Sequence, residues 1–296
     1  MASSVILVIG RTGQVAQALA HVGGAQVVCL GRPDADLKQP ETLVRALELH
    51  QPVAVINAGG FTLVDQAEME PDEARLLNVD GPAALASACE AAGVPLVHLS
   101  TDCVFDGSMP RAYRPDDNTG PICIYGETKL DGERAVADAC AQHLIVRVSW
   151  IFSQFGHNFV RTMLRLAQTR ERLSVVSDQV GCPTYAPALA EALLEMARQA
   201  AEPDFSAWGT YHLAGAGETD RASLARHIFA ESARHDGPKA EVEGVSTAEY
   251  PTPARRPLNA RLDMERTTDV FGIQMPDWQD GLAKTVPALI KEIAGA

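Results

Sequence analysis

Tyr125 and Lys129 stand four residues apart in Tyr125-Gly-Glu-Thr-Lys129, a spacing that puts both side chains on one face of a helix. A phenol beside an ammonium is an acid–base pair, because the cation favours phenolate and is expected to draw the tyrosine pKa down from its usual ~10. Such a tyrosine can pass a proton to a carbonyl oxygen as a hydride reaches the carbon, while the lysine holds the ribose of the hydride donor. Alone, this pair is common on helix surfaces. Upstream, however, a strand ends in Ser100-Thr101-Asp102-Cys103-Val104, and the carboxyl ends of parallel strands are where open α/β sheets bind ligands. Thr101 therefore joins Tyr125 and Lys129 as the candidate catalytic set.

A second motif, Gly10-Arg-Thr-Gly13-Gln-Val-Ala16, separates a β-branched run from a helical segment. Small residues there let the backbone approach a pyrophosphate, and the helix N-terminus offers free N–H groups and partial positive charge. Gly10, Arg11, Thr12, Gly13, Gln14 and Val15 are thus assigned to a dinucleotide. The second strand ends Cys29-Leu30-Gly31-Arg32, without the acid that would bond an adenosine ribose 2′-OH. Arg11 and Arg32 instead offer guanidinium forks to a 2′-phosphate. NADPH is the expected cofactor, with NADH second.

The elements that must position these groups alternate. Strands are expected at 5–9, 25–30, 52–57, 94–100 and 143–149, and helices at 15–21, 41–50, 73–92 and 125–140. The first run, Val5-Ile-Leu-Val-Ile9, lacks polar alternation, as a strand buried on both faces does. The rhythm predicts an α/β chain with a Rossmann-type doubly wound parallel sheet in residues 1–150. Strands near 173–177 and 210–213 are expected to complete that sheet. The rest of 151–296 should form mainly a smaller C-terminal substrate-binding lobe interleaved with the first unit.

Composition narrows the function classes. With 25 Lys and Arg against 38 Asp and Glu, the net charge is −13, which disfavours nucleic acid and anionic membrane as partners. No stretch approaches the ~20 apolar residues of a membrane span, and Met1-Ala-Ser-Ser carries no basic region of a signal peptide. The six cysteines show no CxxC or ligand-spaced His, so free thiols in the cytoplasm are expected and a zinc site is not.

In order along the chain, the glycine turn, Asn57-Ala-Gly-Gly60, Ser100-Thr101-Asp102 and the Tyr–Lys pair resemble the extended short-chain dehydrogenases/reductases. Val64-Asp-Gln-Ala-Glu68, the stretches 100–107 and 173–184, 250–257 and Pro276-Asp-Trp-Gln-Asp-Gly281 are similar, more narrowly, to the dTDP-4-dehydrorhamnose reductase family. That resemblance covers essentially the whole chain. It implies NADPH-dependent reduction of the C4 ketone of dTDP-6-deoxy-L-lyxo-4-hexulose to dTDP-L-rhamnose, with a nucleotide sugar as the small-molecule partner and a homodimer as one compatible assembly. It places Asp36, Leu37, Asn57, Ala58, Gly59 and Ser100 beside the cofactor. It places Asp102, Cys103, Val104, Trp150, Asn158, Gln179 and Arg256, with Thr101 and Tyr125, on the substrate side. Some family members bridge dimers with metal through acidic residues just after the glycine turn; Ala16-Gln-Ala-Leu19 has none, so no metal is expected.

Three readings compete with these roles. Asp102 and Asp106 suit turn capping, Cys103 an inert thiol, and His98 a satisfied core histidine. Cys103 also stands where the family usually has tyrosine, which opens a related 4-keto sugar nucleotide as substrate, for a reductase or an epimerase. A non-catalytic NADP-binding regulatory subunit is the remaining alternative, and the intact Thr–Tyr–Lys set argues against it.

Overall fold

The computed structural model describes residues 5–294; Met1 to Ser4, read above for a leader, lie outside them. Six parallel strands form the main sheet: β1 (Ile6–Ile9), β2 (Val27–Leu30), β3 (Ala54–Asn57), β4 (Leu96–Thr101), β5 (His143–Val148) and β6 (Gly209–Leu213), in spatial order β6-β5-β4-β3-β1-β2. The chain winds outward from β1 to β2 and then reverses to β3, so the carboxyl ends of β1 and β3 flank the switch point at which such sheets bind ligands.

The β-branched runs explain the layering. Ile6 and Val8 point into one apolar layer and Leu7 and Ile9 into the other, all fully buried. The first layer is closed by α1 (Gln14–Gly23) and α6 (Ala186–Ala200). The second is closed by α2 (Pro40–His50), α3 (Gly81–Ala92) and α4 (Ile124–Ala139). Between β5 and β6 lies α5 (Phe159–Ala167) and after β6 come α7 (Arg221–Ala233) and α8 (Trp278–Ala294), which pack with Leu173 and Val175 in a third apolar cluster.

Two expectations need correction and a third is refined. The strand expected at 173–177 forms at Arg172–Val176 but pairs with Glu241–Val245 in a separate two-stranded sheet. Its exposed Arg172 and Ser174 alternate with buried Leu173 and Val175, the pattern of a strand covered on one face only. The second strand, expected to be buried, is the sheet's edge and only half-buried throughout. The helix expected over 73–92 forms without interruption from Pro71 to Ala92, but it widens into a π turn at Leu76–Asp80, where Asn78 turns inward to bond both backbone groups of Phe61 and the Thr128 hydroxyl of α4.

Helix α4 carries the Tyr–Lys pair, and a buried clasp sets its register. Arg147 of β5 donates from Nε and Nη2 to the two oxygens of Glu133, at 2.9 and 2.7 Å, and Ser100 of β4 also bonds that carboxylate. Both charged side chains are 6% exposed. A guanidinium left unpaired at such depth is far costlier than one in water. Glu133→Ala should therefore cost about 3–5 kcal/mol of unfolding free energy, read by urea denaturation; a loss below about 1 kcal/mol would contradict the role given to the clasp.

Candidate active site

Beyond the carboxyl ends of β1, β4 and β5 opens a cleft whose inner chamber, about 350 Å³, is lined by Gln14, Thr101, Cys103, Tyr125, Trp150 and Arg221, among others. Thr101 closes β4. Its hydroxyl donates to Asp102 Oδ1 at 2.9 Å and accepts the Cys103 N–H at 3.2 Å. The other oxygen of Asp102 takes the Ser149 hydroxyl at 2.7 Å. Asp102 is buried, and that burial pushes its carboxyl above the ordinary aspartate range, with the Ser149 and Thr101 hydrogen bonds acting the other way.

Tyr125 begins the first turn of α4, which is capped by the Cys123 thiol accepting from Gly126 N–H at 3.4 Å. Burial pushes the phenol pKa up, against a hydrogen bond with Thr101 that lowers it. One helical turn on, Lys129 donates from Nζ to the Leu99 carbonyl at 2.6 Å. Burial brings its pKa down to about 8, with Glu133 opposing. The expected direction of the tyrosine shift is therefore reversed: the lysine's bond goes to backbone, desolvation dominates at the phenol, and Tyr125 stays in its proton-bearing form.

The glycine turn sits beside this chamber. Gly10 has φ +131°, and a Cβ there would stand 3.3 Å from the Ala58 backbone, so this position excludes other residues. No side chain caps α1, and the space beside Gly13 is open for 4 Å. An anion fits that end, since its first N–H groups have no side-chain acceptor. Arg11 meets the end of the second strand through the Arg32 carbonyl at 2.9 Å, and both arginines are exposed. It also faces Asp34 at 3.4 Å, an acid that reading only the strand tip overlooked.

Residues 4–290 match the family described as RmlD substrate binding domain. A dTDP-4-dehydrorhamnose reductase of Sinorhizobium fredii is 42% identical over 97% of this chain and 98% of its own. One from Escherichia coli K12 is 39% identical over 98% and 99%. The chain belongs to the dTDP-4-dehydrorhamnose reductase family. Among solved structures, a dTDP-4-dehydrorhamnose reductase from Bacillus anthracis str. Ames in complex with NADP superposes with a TM-score of 0.86 at 32% identity, covering 95% of this chain and 97% of that one.

For a dTDP-4-dehydrorhamnose reductase, the residues expected from sequence distribute unevenly. Thr101, Asp102, Cys103, Tyr125, Trp150, Asn158, Gln179 and Arg256 all line the inner chamber, together with Gln14. Val104 does not. It is fully buried among Phe105, Tyr113 and Leu130, so it packs the floor and meets no ligand. The Ser100 hydroxyl, expected beside the cofactor, is committed to Glu133 on the opposite side of the strand. Asn57 is also internal, donating to His98 Nδ1 at 3.1 Å and accepting from Gly59 N–H; it shapes the turn. Leu37 packs against Gly59 and Gly81, while the Asp36 carboxylate accepts the Lys38 N–H. Asn158 caps α5, and Gln179 donates to Thr247.

The competing readings divide as well. Asp106 caps its turn by accepting from Ser108 and Tyr113, whereas Asp102 holds Thr101. His98 is fully buried and held neutral by that burial, yet only its Nδ1 is paired. The Cys103 thiol is pushed up by its hydrogen bond with Cys123 and by burial, which keeps it protonated. Arg221, Thr62 and His157 also line the chamber and were missed, because no motif marks them and they arrive from distant segments. The chain has five lysines, so 15N NMR of selectively labelled protein can follow each. Lys129 should titrate near pH 8, and a value at the ordinary ~10.4 would contradict the burial described.

Proposed function

We propose that this chain is an NADPH-dependent dTDP-4-dehydrorhamnose reductase, reducing the C4 ketone of dTDP-6-deoxy-L-lyxo-4-hexulose to the C4 hydroxyl of dTDP-L-rhamnose. The observation that carries this reading is the convergence of Thr101 and Tyr125 on the inner end of one cleft, with Lys129 one helical turn on from Tyr125, beside an uncapped helix N-terminus. NADPH, when bound, supplies a hydride. The residues that would hold it are the turn Gly10 to Val15, Arg11 and Arg32 at the adenosine end, Ala58 and Gly59 after β3, and Lys129.

Burial keeps the Tyr125 proton in place until the carbonyl oxygen gains negative charge, and the proton then passes from the phenol to that oxygen. The Thr101 hydroxyl, held by Asp102 and the Cys103 N–H, fixes the direction from which the oxygen is met. Lys129, cationic below about pH 8, stabilises the phenolate left behind, so turnover falls as pH rises through that value. The Cys103 thiol in place of a bulkier phenol supports a second reading, a differently substituted 4-keto hexose, since it enlarges the chamber beside Thr101. The lobe formed after Trp150 would hold the nucleotide sugar.

No helix among the described residues is long and apolar enough to cross a membrane; the reading places the reaction in the cytoplasm and is compatible with a homodimer. Tyr125→Phe should lower kcat by about 10²-fold or more while leaving NADPH affinity within about twofold, measured by NADPH oxidation and fluorescence titration. Near-normal turnover in that variant would remove Tyr125 as the proton donor.

A further inference from the structure

Arg221 opens α7 directly after its N-cap, Asp220, whose carboxylate accepts the Ser223 N–H at 2.8 Å. Its guanidinium carbon lies 3.6 Å from the centre of the Trp150 ring and 5.2 Å from that of Phe159. Trp150 is itself pressed on Gly181, where a Cβ would come within 2.5 Å of the indole, and it holds a left-handed backbone at φ +43°. The tryptophan is thus fixed from below, and the guanidinium sits over its ring at stacking distance. Stacking uses the face of a guanidinium and leaves its five N–H donors, which lie in the plane, unspent.

Nothing among the described residues takes them. Arg147, Arg161, Arg256 and Arg261 each clasp a carboxylate, whereas Arg221 makes no hydrogen bond or ion pair among the described residues. The nearby Asp102, whose two oxygens accept from Thr101 and Ser149, forms no hydrogen bond or ion pair with it and acts on it only as a charge at longer range. Burial brings the Arg221 pKa down to about 10; the Asp102 charge opposes this, and Arg256, a second positive charge at the same site, adds to it. Two guanidinium groups held near each other with one free of any acceptor describe a place prepared for an anion.

Position identifies which anion. Arg221 and Arg256 border both the inner chamber with Thr101 and Tyr125 and an outer groove of about 870 Å³ that includes Met69, Met163, Val175 and Tyr250. From inside outward the cavity therefore presents a proton-donating pair, a free guanidinium, and a groove with apolar walls edged by polar groups such as Gln66 and Ser174. A nucleoside diphosphate sugar has that order of parts: sugar, diphosphate, nucleoside. We propose that Arg221, held over Trp150, binds the diphosphate of the nucleotide sugar and so sets how far the sugar ring enters toward Thr101 and Tyr125. This rests on the substrate class proposed above.

Calorimetric titration of the full chain with dTDP and with thymidine, in wild type and in Arg221→Gln and Arg221→Lys, tests it. Loss of one or two charge-assisted hydrogen bonds should weaken dTDP by about tenfold or more in Arg221→Gln. Thymidine and NADPH should stay within about twofold, and Arg221→Lys should recover part of the loss, as charge without the fork. Unchanged dTDP affinity in Arg221→Gln overturns the assignment while the substrate reading stands. Equal weakening of dTDP and thymidine also overturns it, showing that Arg221 only props Trp150. A wild-type protein that binds no dTDP overturns the substrate reading, and the assignment with it.

Discussion

A carboxylate and a guanidinium buried together between α4 and β5 are the constraint on which the site depends. Glu133 and Arg147 are almost fully removed from water, and each would be strongly destabilising without the other. That makes the seating of α4 nearly all-or-none, since sliding the helix by one turn would unpair both. Glu133, Lys129 and Tyr125 follow one another at four-residue steps, on one face of the helix. The clasp that fixes the first therefore fixes the other two, placing Lys129 on the Leu99 carbonyl and Tyr125 over Thr101 at the end of β4.

The same low-polarity surroundings then decide the chemistry. Tyr125, Lys129, Asp102 and Arg221 are all pushed toward their uncharged forms, and burial is the leading cause in each case. For a reductase this is useful at the phenol, which must arrive carrying its proton. It also makes the cleft a favourable place for anionic ligands despite a net charge of −13. Local cations, short of acceptors, act at close range, where the charge of outer helix faces is screened.

Much of this was legible in the chain. An unbroken β-branched run marked β1 as a strand covered on both faces, and the position of the glycine turn after it pointed to the dinucleotide end. The Tyr–Lys spacing and the Ser–Thr strand end pointed to the candidate catalytic set, which the fold brings together at one cleft. What escaped was set by tertiary contact. The alternation at Arg172–Val176 carried its own warning, since a half-exposed strand does not belong inside a doubly covered sheet. Ser100 is adjacent to a ligand-facing residue but points inward, because a strand turns successive side chains to opposite faces, and Val104 is carried into the core by the tight turn that follows β4. Arg221 has no motif at all: its place in the site exists only because α7 begins over Trp150, on a different part of the chain.

The most direct test of the account is to give the purified protein dTDP-6-deoxy-L-lyxo-4-hexulose with NADPH, beside GDP- and UDP-linked 4-keto sugars, and to follow NADPH oxidation and the product by NMR. The account predicts dTDP-L-rhamnose as product, with one NADPH consumed per sugar and the dTDP-linked ketone turned over fastest. NADPH binding without oxidation by any of these ketones, or clear preference for a sugar on another nucleotide, would contradict it.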